Sequence, residues 1–178
     1  MSALPSLRKQ DVSPQKQARP KQRFEVDLRD YEQLSVLNHG SFGCVYKIRD
    51  KRSNQIYAAK VVNCFNDDKE CERVISREVE IMTNIHHNTI VEYFGFSRYD
   101  FSRMNNVTIL MEYAEFGSLR KLLNQVIQSN APHKYDNTIR QIILIGISRG
   151  MKYLHDRSII HRDLKPENVL ICKKLHPH

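Results

Sequence analysis

His161-Arg162-Asp163-Leu164-Lys165-Pro166-Glu167-Asn168 places an imidazole, a guanidinium, two carboxylates, an ammonium and an amide within eight consecutive positions. The segment lies between two short β-prone apolar stretches, Ile159-Ile160 and Val169-Leu170-Ile171. It reads as a polar loop between short buried strands. A loop so dense in polar function is costly as pure structure, and suits the rigid presentation of chemical groups.

Upstream of the loop, Asp136 or Asn137 is expected to cap a long helix that runs to about His155. Ile139, Ile142, Ile143, Gly146, Ile147, Gly150, Met151 and Leu154 form one stripe at helical spacing. The two glycines weaken helix propensity, which predicts close approach by another element. Before that helix, Ser118 can cap a short one over 119–129, and residues 112–117 read as a connector.

The N-terminal half alternates as strands do. Tyr31–His39, Val45–Arg49, Gln55–Val62, Ile90–Phe96 and Asn106–Met111 are predicted strands, and residues 50–54 a charged turn. The first hairpin turns through Asn38-His39-Gly40-Ser41-Phe42-Gly43. Glycines there let backbone N–H groups approach phosphate oxygens, although many hairpins carry two glycines with no ligand. Lys60 sits in the apolar third strand, either outward or as an inward charge. Residues 67–85 are predicted helical, capped by Asn66 or Asp67, with Cys71, Val74, Ile75, Met82 and Ile85 on one face. Glu78 falls on that face. It either snorkels at the edge or pairs with Lys60, because an unpaired buried charge costs several kcal/mol.

Composition bounds the function classes. With 178 residues, 40% of them hydrophobic and 27% charged, the chain can hold a real core. Residues 1–23 contain Arg8, Lys9, Lys16, Arg19, Lys21 and Arg23 against Asp11, which is +5 of the formal +8. The basic character therefore belongs mostly to a segment expected to be a disordered tail, with a basic docking arm as its functional alternative. The remaining +3 argues against a nucleic-acid partner. No stretch reaches the roughly 20 apolar residues of a membrane span, and no signal peptide is evident. Cys44, Cys64, Cys71 and Cys172 form no CxxC pair, so reduced thiols in an intracellular setting are expected, cytoplasmic with the nucleus left open. Cys44 reads as a half-buried strand residue, or as a reactive thiol beside the turn. The histidines show no zinc-ligand spacing.

In this order, the motifs resemble the eukaryotic protein kinases of the serine/threonine branch. Gly40-x-x-Gly43-x-Val45, Ala58-x-Lys60, Glu78, Met111-Glu112-Tyr113-Ala114 and the loop His161–Asn168 carry the resemblance over about residues 31–172. It implies an α+β fold with a five-stranded antiparallel N-lobe and one main helix over residues 24–111. A hinge at 112–117 and part of a helical C-lobe at 118–178 would follow. It implies ATP and Mg²⁺ as cofactors and a protein substrate, with room for a regulatory protein partner. Gly40, Ser41, Phe42 and Gly43 would cover the phosphates. Leu37, Val45, Ala58 and Leu170 would enclose adenine, with Met111, Glu112, Tyr113 and Ala114 along its edge. Lys60, held by Glu78, would meet the α- and β-phosphates. Asp163 would orient the substrate hydroxyl, Lys165 would offset charge on the transferred group, and Asn168 would hold the metal. Lys165, two residues after Asp163, implies serine or threonine acceptors. Arg162 before Asp163 implies a kinase switched on by phosphorylation of an activation loop.

Asn38 stands where the resemblance puts a first glycine, a mild change because Asn tolerates positive φ. More seriously, residues 169–178 contain no carboxylate, so the second metal ligand of an Asp-Phe-Gly motif is not among these 178 residues. The resemblance therefore implies an incomplete domain with impaired phosphoryl transfer. The alternative is an inactive module that binds nucleotide or a partner.

Overall fold

The computed structural model describes residues 25–40, 43–62, 76–77, 79–129 and 136–172. Five antiparallel strands form one sheet: β1 (Tyr31–Gly40), β2 (Gly43–Asp50), β3 (Ile56–Val62), β4 (Tyr93–Ser97) and β5 (Thr108–Glu112), in the order β1-β2-β3-β5-β4. Helix α1, whose described residues are 76–77 and 79–83, precedes β4. Helices α2 (Leu119–Ser129) and α3 (Asn137–His155) follow the sheet. The predicted N-cap and the first turns of α1, Glu78, Ser41, Phe42 and the tail 1–23 lie outside the described residues.

Side-chain alternation gives the sheet two different faces. Ile48, Ala59 and Leu110 line the outer face with Tyr31, Tyr46 and Tyr57 around them. The register pairs Val45 with Lys60, Lys47 with Ala58, Lys60 with Ile109 and Ala58 with Met111, so these six share the inner face. Helix α1 packs there, joining Val79 and Met82 to Tyr93 and Ile109.

Residues 25–30 pack against this sheet, joined to it by an isolated bridge between Glu25 and Phe96. Asp27 accepts from the Arg29 amide to start a short 3₁₀ turn, Leu28–Asp30. That turn drives Leu28, 6% exposed, into the outer cluster. The Val26 amide donates to Phe96 O at 2.8 Å, which covers part of the β4 edge. Arg29 holds the Asp27 carboxyl down to about 2.

Helix starts follow the sequence reading. Asp136 Oδ1 accepts from the Ile139 amide at 2.9 Å to cap α3, and Ser118 Oγ accepts from the Lys121 amide to cap α2. Two expectations need correction. Strand β4 begins at Tyr93 rather than Ile90, because the chain turns at 87–90, where the Ile90 amide donates to His87 O at 3.0 Å. The polar loop is not held between two buried strands: Ile160 is 71% exposed, and among the described residues the pairing on its other side is an isolated bridge from Leu170 to Ser118. The α3 stripe faces solvent in part, with burial at Ile143, Gly150 and Leu154.

The glycines of that stripe divide in the same way. A Cβ on Gly150 would lie 3.0 Å from Thr89 Oγ1 and 3.2 Å from Thr89 O, so the turn at 87–90 is the close neighbour. Beside it the Tyr153 hydroxyl accepts from the His86 amide at 3.0 Å, and its ring lies 4.7 Å from that of His87. Gly146 has nothing within 4 Å of its Cβ position. Urea denaturation should separate the two positions. Gly146→Ala should raise stability by about 0.5–1 kcal/mol through helix propensity. Gly150→Ala should lower it by about 1–3 kcal/mol through overpacking on the Thr89 backbone.

Candidate active site

The loop 161–168 is held against the strand-to-helix connector by backbone hydrogen bonds. Phe116 N donates to Ile171 O at 3.1 Å and Ile171 N to Gly117 O at 2.8 Å. Leu119 N donates to Val169 O at 2.7 Å and Arg120 N to Pro166 O at 3.1 Å. Gly117 turns the connector at φ +76°, a conformation that glycine adopts freely. The connector itself leaves β5 at Glu112, which is still a strand residue. Lys47 Nζ lies 4.7 Å above the Tyr113 ring, tying the connector back to β2.

Within the loop, the Asp163 amide donates to His161 O at 2.8 Å across Arg162, whose φ is 63°. This is a γ-turn with a non-glycine residue in the left-handed region, a conformation that costs energy and concentrates at functional sites. The turn presents the Asp163 carboxylate to solvent. Asn168 Nδ2 donates to Asp163 Oδ2 at 2.9 Å and to Asp163 O at 2.8 Å, and Lys165 Nζ lies 2.9 Å from Oδ2. Oδ1 of Asp163 carries no such bond among the described residues. The hydrogen bonds from Lys165 and then Asn168 hold the Asp163 carboxyl below its usual range, and Asp163 in turn raises the Lys165 ammonium. Both groups are charged at neutral pH. Both are also exposed, so their pairing contributes little to stability.

On the sheet side, the β1–β2 hairpin brings Gly40 opposite Gly43, and Val45 lies opposite Lys60. Gly43 has φ +133°, and a Cβ there would collide with the Val61 carbonyl of β3. Ala58, a small buried residue, sits on the inner face between Lys47 and Met111. Lys60 is half-buried on that face, and Leu37 and Leu170 are 43% and 38% exposed. Tyr113 and Ala114 are half-buried in the connector. Any pairing of Lys60 with Glu78 lies outside the described residues. Cys44 is a half-buried residue of β2 with a free thiol. His161 Nδ1 is buried without a hydrogen-bond partner among the described residues.

One feature of the site was not foreseen. Arg120, in the first turn of α2, donates Nε–H to Glu167 Oε1 at 2.8 Å. The two residues are 47 positions apart, and nothing in the local pattern of either signals the pairing.

Residues 31–177 match the protein kinase domain, and the chain belongs to that family. The family phosphorylates proteins using ATP and a divalent metal. The chain is 36% identical over 149 residues to mitogen-activated protein kinase kinase 9 of Arabidopsis thaliana, covering 84% of this chain and 44% of that protein. It is 31% identical over 153 residues to an Aurora kinase of Candida albicans, covering 85% of this chain and 27% of that protein. The cytokinesis protein sepH of Emericella nidulans is 27% identical over 174 residues, 98% of this chain and 12% of that protein. The chain thus spans under half the length of these relatives.

Replacing Lys165 by Ala should raise the Asp163 pKa toward the ordinary carboxylate value, since the largest cause of its depression is removed. The Lys165–Asp163 tie is complete above that ordinary value and is lost as pH falls through the lowered one. A carbon-detected NMR titration of the Asp163 carboxyl checks this, and an unchanged midpoint in the variant would contradict it.

Proposed function

We propose that the protein transfers the γ-phosphate of ATP to serine or threonine hydroxyls of protein substrates. The observation that carries this reading is the exposed cluster in which Asn168 and Lys165 converge on Asp163. With Oδ2 engaged by both partners, Oδ1 of Asp163 is the oxygen free to accept and orient a substrate hydroxyl. A depressed pKa suits that role: a weakly basic carboxylate positions the hydroxyl and takes its proton late. Lys165, fixed beside it, offsets charge that develops on the transferred group.

The residues present fit Mg-ATP. Gly40 and Gly43 pair across the hairpin end, and glycines in such a turn let backbone N–H groups approach phosphate oxygens. Ala58 offers a small apolar surface for a flat ring, and Lys60 lies on the same sheet face, opposite Val45 and toward the glycine turn. Asn168 Nδ2 is directed to Asp163, which leaves its amide oxygen for a cation. When bound, Mg-ATP supplies the phosphoryl group and its charge compensation. The reading includes an intracellular setting, and room for a regulatory protein partner.

A second reading keeps the same nucleotide site and omits the chemistry. On that reading the chain binds nucleotide or a partner without phosphoryl transfer.

Transfer from Mg-ATP to a serine-containing peptide, read beside nucleotide affinity, separates the two. In the protein, Asp163→Ala should abolish transfer and leave nucleotide affinity within about twofold, because an exposed hydroxyl-orienting group contributes mainly to the chemical step. Lys60→Ala should weaken nucleotide binding about tenfold or more through loss of a charge-assisted phosphate contact. Transfer that survives Asp163→Ala would contradict the first reading. Nucleotide binding indifferent to Lys60→Ala would place the nucleotide elsewhere.

A further inference from the structure

The surface next to Asp163 carries an excess of positive charge, and Arg120 creates it. Each carboxylate of the loop is matched by a cation: Asp163 by Lys165 at 2.9 Å, and Glu167 by Arg120 at 2.8 Å. Arg162, which precedes Asp163, is exposed and has no anionic partner among the described residues. Glu115, a further acid of the connector, lines a separate depression with Lys47, Gln55 and Cys172. An acid at position 167 would by itself attract basic side chains. With its carboxylate engaged, and its pKa lowered chiefly by Arg120, it does not.

The position of this pair matters because it is close to the reacting group. Glu167 adjoins Asn168, whose side chain touches Asp163. An extended segment with its hydroxyl at Asp163 advances about 3.3 Å per residue, so residues two to four from the acceptor would pass this pair. Arg120 uses only Nε on Glu167, and its side chain is 49% exposed. The Nη atoms make no hydrogen bond within the described residues. They present the planar fork of donors that suits a carboxylate.

We propose that Arg120 is a specificity-determining residue, masking Glu167 and giving the surface beside Asp163 a preference for acidic protein segments. The inference rests on the reading of Asp163 as the acceptor-orienting residue, and it names the substrate class of that site.

Its test uses fluorescent serine peptides of identical length, carrying Glu or Arg at the positions flanking the serine. Binding is read by anisotropy, and phosphate transfer is measured on the same peptides. The protein should bind the Glu peptide about five- to tenfold more tightly than the Arg peptide at low salt, and the gap should close at 0.5 M NaCl. Arg120→Glu should reverse the order, and Arg120→Gln should abolish it with the thermal midpoint of the fold retained. The Gln variant keeps the test valid if Arg120→Glu does not fold. Equal affinities in the unaltered protein, a preference for the Arg peptide, no binding of either peptide, or a preference unmoved in both variants would each overturn the inference. A charge preference in binding without any transfer would leave it standing and remove phosphoryl transfer instead. Transfer with no charge preference would do the reverse.

Discussion

Four backbone hydrogen bonds between residues 116–120 and 166–171 determine where everything else in the site can be. They bind the connector that leaves β5 to the segment that ends the polar loop, so the sheet and the loop share one piece of main chain. Each bond contributes about 0.5–1.5 kcal/mol net. Their larger effect is geometric, because the loop cannot shift without breaking several together. Gly117 at φ +76° lets the connector turn sharply enough to pair, and Leu119, 8% exposed, anchors the same stretch as α2 begins. A second clasp joins the halves through the turn at 87–90, where Gly150 admits the Thr89 backbone and Tyr153 accepts from His86.

With that frame in place, electrostatics give the loop its chemistry. Two side chains converge on one carboxylate: Asn168 and Lys165 bond Asp163, and the γ-turn at Arg162 aims it outward. These groups are exposed, so their mutual attraction adds little to folding. The strain at Arg162 is retained against stability, as expected where a conformation serves function. The inner sheet face follows the same logic, with a half-buried lysine among apolar residues rather than another aliphatic side chain.

Much of this was legible from residue order. Alternation revealed the five strands, and the caps at Ser118 and Asp136 marked both C-terminal helices, because these signals are local. The family followed from five motifs in sequence. What local pattern could not carry was different in kind. Ile160 looks like a core residue by type, yet it is solvent-exposed because no strand forms there. Gly146 and Gly150 are indistinguishable on the α3 stripe until the turn at Thr89 is seen to approach only one of them. The Arg120–Glu167 pair joins residues that no periodicity relates.

Amide hydrogen exchange at Phe116, Leu119, Arg120 and Ile171 tests most directly whether sheet and loop form one unit. These four amides should exchange together, and as slowly as those of β5. Rapid exchange at the four while β5 stays protected would mean that the loop is not held by the sheet, and the common frame proposed for the site would be wrong.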